Sequence, residues 1–295
     1  MSRPFRFGVT LFTPASAAEW RARCRRAEEL GYDVLLVPDH LGMVAPFPAL
    51  VAAAEATQRP RLGTFVLNAG FWNPALLARE AATTDALTGG RLELGLGTGY
   101  VPAEHEEAGL PYGSARERVD HLAHTAGEVA RLLGSAEFQP RPAQSRVPLL
   151  IGANGDRMLR LTAEHADIAA FTGARPAATP GKLEPLTAEE LDERVTRYRD
   201  LAAGRAEQAE LNLLLQLVAV TDDPEPVLKP LLERQPQLSL EQALSLPIVL
   251  AGPLDDLVAR LRAQRERFGF SYLTVLEPSM EAFAPVMERL RAESA

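Results

Sequence analysis

The chain has 295 residues, a net charge of −8 and one cysteine. Its ordinary mix of apolar and charged residues excludes a disordered chain, and the acidic balance argues against a general nucleic-acid binder. Lone Cys24 excludes an intrachain disulfide and a multi-cysteine metal site.

Strand and helix alternate from the start. Phe5, Phe7, Val9 and Leu11 carry a strand period, and Ser16 with Glu19 forms a capping box before the stripe Trp20, Cys24, Ala27, Leu30, closed by Gly31. Val34–Val37 suits a strand buried on both faces, and a helix follows over about Ala49–Thr57. Arg61–Leu67 is the third strand. Asn73-Pro74 opens a helix that runs to Gly89-Gly90, and Arg91–Leu96 is the fourth strand. The series continues with helix Ser114–Leu133, strand Val147–Ile151, helix Asp156–Glu164 and strand Ala166–Phe171. Residues 172–186 read as a mobile loop, Thr187 with Glu190 caps a helix, and Glu210–Val220 reads as one long strand. Residues 222–247 read as an insertion of two short helices, and Ile248–Leu250 either extends the sheet or joins it. Helix Leu254–Phe268, strand Phe270–Leu276 and a helix to about Arg291 close the chain.

Eight strand–helix units in this length predict one (β/α)8 barrel over residues 1–295, with segments 172–186 and 222–247 inserted; an open doubly wound sheet is the alternative. No run reaches the ~18 apolar residues of a membrane span, and the N-terminus lacks a signal-peptide core. A soluble cytoplasmic protein without membrane or nucleic-acid contacts is expected.

In such a barrel the strand C-termini carry the site. They are followed by Phe12 and Thr13, Asp39-His40, Asn68 with Phe71 and Trp72, Gly97–Tyr100, Gly152–Gly155 and Thr172-Gly173. Asp39-His40 is the acid–base candidate, because imidazole titrates near neutrality; its alternative is a cap on the next turn. Gly152-Ala153-Asn154-Gly155, between a strand and a helix, either offers backbone N–H groups to an anion or is a tight turn, and Arg157 either adds a counter-charge or lies on the helix surface. Gly95–Gly99 has GxGxG spacing without the third glycine of a dinucleotide fingerprint, and reads as backbone against which a flat ligand lies. His105 reads as part of a polar loop, and His121 and His124 as a solvated helix face; no metal site is expected.

Val37–His40, Leu62–Leu67, Asn73–Arg79, Ala81–Asp85 through Gly89–Arg91, Gly95–Tyr100, Val147–Asn154 with Ala163–Ile168, and Gly252-Pro253 with the units after it together resemble the bacterial luciferase-like family of flavin- and deazaflavin-dependent oxidoreductases. The resemblance implies a (β/α)8 TIM barrel, a homodimer, and coenzyme F420 or FMN bound at the strand C-termini. It also implies a bulged third strand with a non-prolyl cis peptide at Phe65-Val66. The matching cofactor positions are Asp39, Phe65, Val66, Asn68, Gly97, Tyr100, Gly152, Ala153, Asn154, Gly155 and Thr172. Asp39-His40 and Leu62–Leu67 are most similar to the F420-dependent branch, which implies hydride transfer to or from a small, largely apolar substrate, with His40 moving the proton and Phe12, Trp72 and Tyr100 as walls. Tyr100 stands where sugar-phosphate dehydrogenases of that branch carry a glutamate, which argues against that substrate. The alternatives are an FMN-dependent monooxygenase served by a separate reductase, and a non-catalytic barrel that only binds.

Overall fold

Eight parallel strands close on themselves in the computed structural model, which describes residues 3–177, 179 and 181–292. They are β1 (Arg6–Thr10), β2 (Val34–Val37), β3 (Arg61–Thr64, resumed at Leu67–Asn68), β4 (Leu92–Gly97), β5 (Leu149–Gly152), β6 (Ile168–Phe171), β7 (Glu210–Leu215) and β8 (Tyr272–Leu276). β1 sits between β2 and β8, the order then runs β7, β6, β5, β4, and β4 meets β3. The alternation of the sequence therefore builds a closed (β/α)8 barrel, not an open sheet.

The helices start where the sequence places their caps. Ser16, Ser114 and Thr187 each form a reciprocal box with the glutamate three residues on, and the side chain of Asn73 accepts from Ala75 and Leu76 ahead of helix Pro74–Leu87. Helix Ala17–Glu29 buries Trp20, Cys24 and Ala27, and the Trp20 indole N–H donates to the Ala49 carbonyl at 3.0 Å. Cys24 is a packing residue whose thiol burial pushes up to about 12. The second helix begins at Pro46, earlier than expected, because proline is tolerated in the first turn.

β3 is bulged. Gly63 pairs with Glu93 and Leu67 with Leu96, so four steps on β3 oppose three on β4, and the extra residue falls at the cis peptide Phe65-Val66. Thr64 replaces the missing ladder: its hydroxyl accepts from the Gly95 N–H and donates to the Gly95 carbonyl, both at 2.8 Å. Glycine is required opposite, since a Cβ at position 95 would lie 2.0 Å from the Thr64 carbonyl oxygen.

At the N-terminal end the interior is filled by charge. Arg6 pairs with Glu93 at 2.5 Å and with Glu210 at 2.8 Å, Arg61 pairs with Glu93 at 2.7 Å, and the Arg6 guanidinium lies 4.1 Å from the Tyr272 ring centroid. Burial holds the Glu210 carboxyl above the usual range while Arg6 opposes that shift. Above this layer Val34, Leu36, Leu150, Ile168, Ala170 and Tyr272 form an apolar plug, with Phe65 and Val66 on it.

Three expectations are corrected. Segment 172–186 is not a plain loop: Ala174–Pro176 pairs antiparallel with Leu183–Pro185 as a hairpin; positions 178 and 180 of that segment lie outside the described residues. Glu210–Val220 is two strands, because the chain leaves the barrel at Gln216 and Leu217–Val220 pairs with Val249–Gly252. The stretch at Ile248 therefore belongs to this separate pair and not to the barrel. The insertion does hold two helices, Glu225–Arg234 and Leu240–Ser245. Among the described residues no helix is long and apolar enough to cross a membrane.

Candidate active site at the barrel mouth

β2 ends at Val37, and the two residues after Pro38 turn onto the C-terminal mouth. The Asp39 carboxylate accepts through one oxygen from the Asn68 N–H at 3.2 Å and the Trp72 indole N–H at 3.0 Å. Burial pushes the Asp39 carboxyl up, and these two N–H donors pull against that shift. Asn68 ends β3 and caps the short turn Ala69–Phe71: its side-chain oxygen accepts from Gly70, and its amide nitrogen lies 2.9 Å from His105 Nε2.

The glycines at 97 and 99 serve this packing. A Cβ at Gly97 would lie 2.6 Å from Val66 Cγ2, and one at Gly99, where φ is +67°, 2.3 Å from Asn68 Oδ1. The GxGxG run thus lets β3 approach β4, and the expected flat-ligand surface is taken by Val66 and Asn68.

His40 Nδ1 lies 2.7 Å from Glu104 Oε1, and its ring meets Tyr100 edge-on at 5.7 Å. The carboxylate orients the imidazole with Nδ1 as the shared-proton side, so Nε2 is left as the exchangeable nitrogen. Burial, then the Glu104 charge, pushes the Tyr100 phenol up and keeps it a neutral donor. A carboxylate thus stands beside the histidine although Tyr100 occupies the position where one was sought. The readable signal for Glu104 is Val101-Pro102: proline opens the helix Pro102–Glu107, whose first turn places Glu104 toward His40. The same helix corrects the reading of His105, which is buried between Asn68 and the Pro111 carbonyl instead of lying in a solvated loop. His121 Nε2 lies 3.0 Å from the Ala69 carbonyl, so it braces the same turn.

Across the mouth, Gly152 and Gly155 face open space, with no atom within 4 Å of an added Cβ. Ala153 N–H donates to the Ala170 carbonyl at 2.7 Å, and the Thr172 hydroxyl donates to Asn154 Oδ1 at 2.8 Å. Helix Asp156–His165 starts here with no side-chain cap, so its first-turn N–H groups face a groove of about 660 Å³ lined partly by Arg116, Arg157 and Arg194. Arg157 lies on the helix surface and pairs with Asp120; Asp156 pairs with Arg194 at 2.5 Å. At the end of β1 the buried Thr10 hydroxyl has no partner. An uncapped helix start, two unobstructed glycines and an orphaned hydroxyl fit a phosphate-bearing flavin-type group, whose phosphate the Gly152–Gly155 backbone would receive.

The structure brings Asp39, His40, Asn68, Trp72 and Tyr100 into one contact network, with Trp72 edge-on to Phe47 at 5.4 Å. Phe65 and Val66 lie on the interior plug. Phe12 stands apart: its N–H, with that of Thr13, donates to the Glu277 carboxylate at 2.8 and 3.0 Å.

A family model described as luciferase-like monooxygenase matches residues 1–271. The chain belongs to the luciferase-like monooxygenase family. A 4-hydroxyprotoasukamycin monooxygenase of Streptomyces nodosus subsp. asukaensis is 32% identical over 50% of this chain and 43% of its own length. An F420-dependent glucose-6-phosphate dehydrogenase of Intrasporangium calvum is 32% identical over 48% and 50%. The matches thus span about half the length of these curated relatives. Among solved structures, an F420-dependent secondary alcohol dehydrogenase in complex with an F420–acetone adduct superposes with a TM-score of 0.79 at 15% identity, over 98% of this chain and 100% of that one, which shows the shared fold. This luciferase-like chain is thus one of a family of oxidoreductases and monooxygenases.

Proposed function

We propose that this chain transfers a hydride between coenzyme F420 and a small organic substrate, with His40 exchanging the balancing proton. The observation that carries the reading is the His40–Glu104 pair, 2.7 Å apart at the strand C-termini. Moving a hydride to or from a carbon that bears oxygen also requires a proton to move, and an imidazole oriented by a carboxylate is suited to that step. When bound, the deazaflavin supplies or accepts the hydride. The chain does the rest: Gly152, Ala153, Asn154 and Gly155 receive the phosphate, Phe65, Val66 and the Asp39–Asn68 pair back the ring, and Thr172 keeps Asn154 in place. Trp72 and Tyr100 wall the substrate beside His40. Glu104 holds the imidazole through Nδ1.

The monooxygenase relative motivates a second reading, FMN chemistry with a separate reductase. Titrating the protein with F420 and with FMN while following cofactor fluorescence separates the two. F420 is expected to bind the more tightly; tight FMN binding with no F420 binding overturns the first reading.

A further inference from the structure

At the rim of the mouth, beyond the ends of β6 and β7, a cavity of about 220 Å³ lies between the hairpin and the insertion. No residue of the His40 network or of the Gly152–Gly155 segment lines it. Leu183 of the hairpin, Leu231 of the first insertion helix, and Leu217, Leu246 and Ile248 form its apolar wall. The Gln235 side chain ties the helix to the hairpin by donating to the Leu183 carbonyl at 3.5 Å.

Two polar side chains stand at the solvent-exposed rim of the cavity with donors that no protein group takes up. Gln216 donates its backbone N–H to Ile248, but its side-chain amide bonds to none of the described residues. Arg234 uses only Nε, on the Pro230 carbonyl at 3.0 Å, and no described carboxylate pairs with its guanidinium. Arg175 on the same hairpin is by contrast held by both Glu184 and Glu190. A partly open pocket walled by leucines, with a guanidinium and an amide at its solvent-exposed rim, is complementary to a molecule with an apolar body and an anionic end.

We propose that this cavity binds a small amphiphilic carboxylate, its chain against the leucines and its carboxylate on Arg234 and the Gln216 amide. Since an apolar cavity of about 150 Å³ holds benzene, this one of about 220 Å³ has room for about nine non-hydrogen atoms, enough for a chain of seven carbons with its carboxylate at the rim. The guanidinium and the amide set the preference for a carboxylate over an alcohol.

The test is calorimetric titration of the purified chain, without cofactor, with octanoate and with 1-octanol. Octanoate is expected to bind one saturable site, at least about tenfold more tightly than octanol, and Arg234→Gln to remove that preference. Leu183→Trp, which fills the cavity from the hairpin side, is expected to abolish octanoate binding while circular dichroism shows the fold intact. Absence of saturable binding, or octanoate affinity that survives either substitution, overturns the assignment. Because no cofactor is present, the outcome is independent of whether the mouth uses F420 or FMN.

Discussion

The two ends of the barrel are built on opposite rules. At the N-terminal end Arg6, Arg61, Glu93 and Glu210 neutralise one another over Tyr272, and Glu93 is almost wholly buried. At the C-terminal end small residues leave space, the Thr10 hydroxyl lacks a partner, and the pair beside the Asp39 cluster joins a carboxylate to an imidazole instead of a guanidinium. Polar groups matched inside the fold add rigidity and leave nothing for a ligand. Groups left unmatched weaken the fold and keep their bonding capacity for what arrives.

Glu93→Leu is the strongest challenge to this division. It removes the carboxylate that Arg6 and Arg61 share, leaving Arg6 with Glu210 and Arg61 with no carboxylate, and should cost about 3–5 kcal/mol in a denaturant titration, with cofactor affinity of the folded fraction unchanged. A large loss of affinity instead would mean that the two ends are coupled. His40→Ala should do the reverse, lowering turnover by ~10²-fold or more with an unchanged melting temperature; near-normal turnover with reduced cofactor removes the proton role. Thr64→Val tests the boundary between the ends: it leaves the buried N–H and carbonyl of Gly95 without their partner, each at a cost of about 1–3 kcal/mol.

The smallest effect is at Asp39. Burial raises its carboxyl in the folded chain, so the folded state binds the proton more tightly than the unfolded state, where the value is about 3.9. Stability contributed by this group is full below pH ~4 and is lost as pH rises through the folded value. Asp39→Asn removes that slope, so its melting temperature should gain on the parent from pH ~4 toward neutrality. A constant difference across that range would show that the charge is already compensated.

Much of the barrel was legible because its signals are local. The boxes at Ser16 and Thr187, the Asn73-Pro74 start and the buried runs at Val34–Val37 and Phe270–Leu276 each state their own structure. The cis peptide at Phe65-Val66 was legible only through the family resemblance, since neither residue announces it. Glu104 was hidden because its meaning depends on a residue 64 positions away, across the mouth from its own helix. The break at Gln216 was hidden for a related reason: LLLQLVAV reads as a continuous strand, and only pairing with Val249–Gly252 pulls its second half away.

That pairing has a consequence for how such a chain can change over generations. Leu217–Val220 and Val249–Gly252 run side by side in register, so the stretch between Thr221 and Ile248 enters and leaves through a fastened gate. The ends are already held together, and doubling a loop adds only about 0.6 kcal/mol of closure cost. The two helices inside are therefore an exchangeable cassette wherever they do not pack into the core: with Leu228, Ala243 and Leu246 kept, residues can be gained, lost or swapped on their outer faces, and new selectivity can be tried out beside unaltered chemistry.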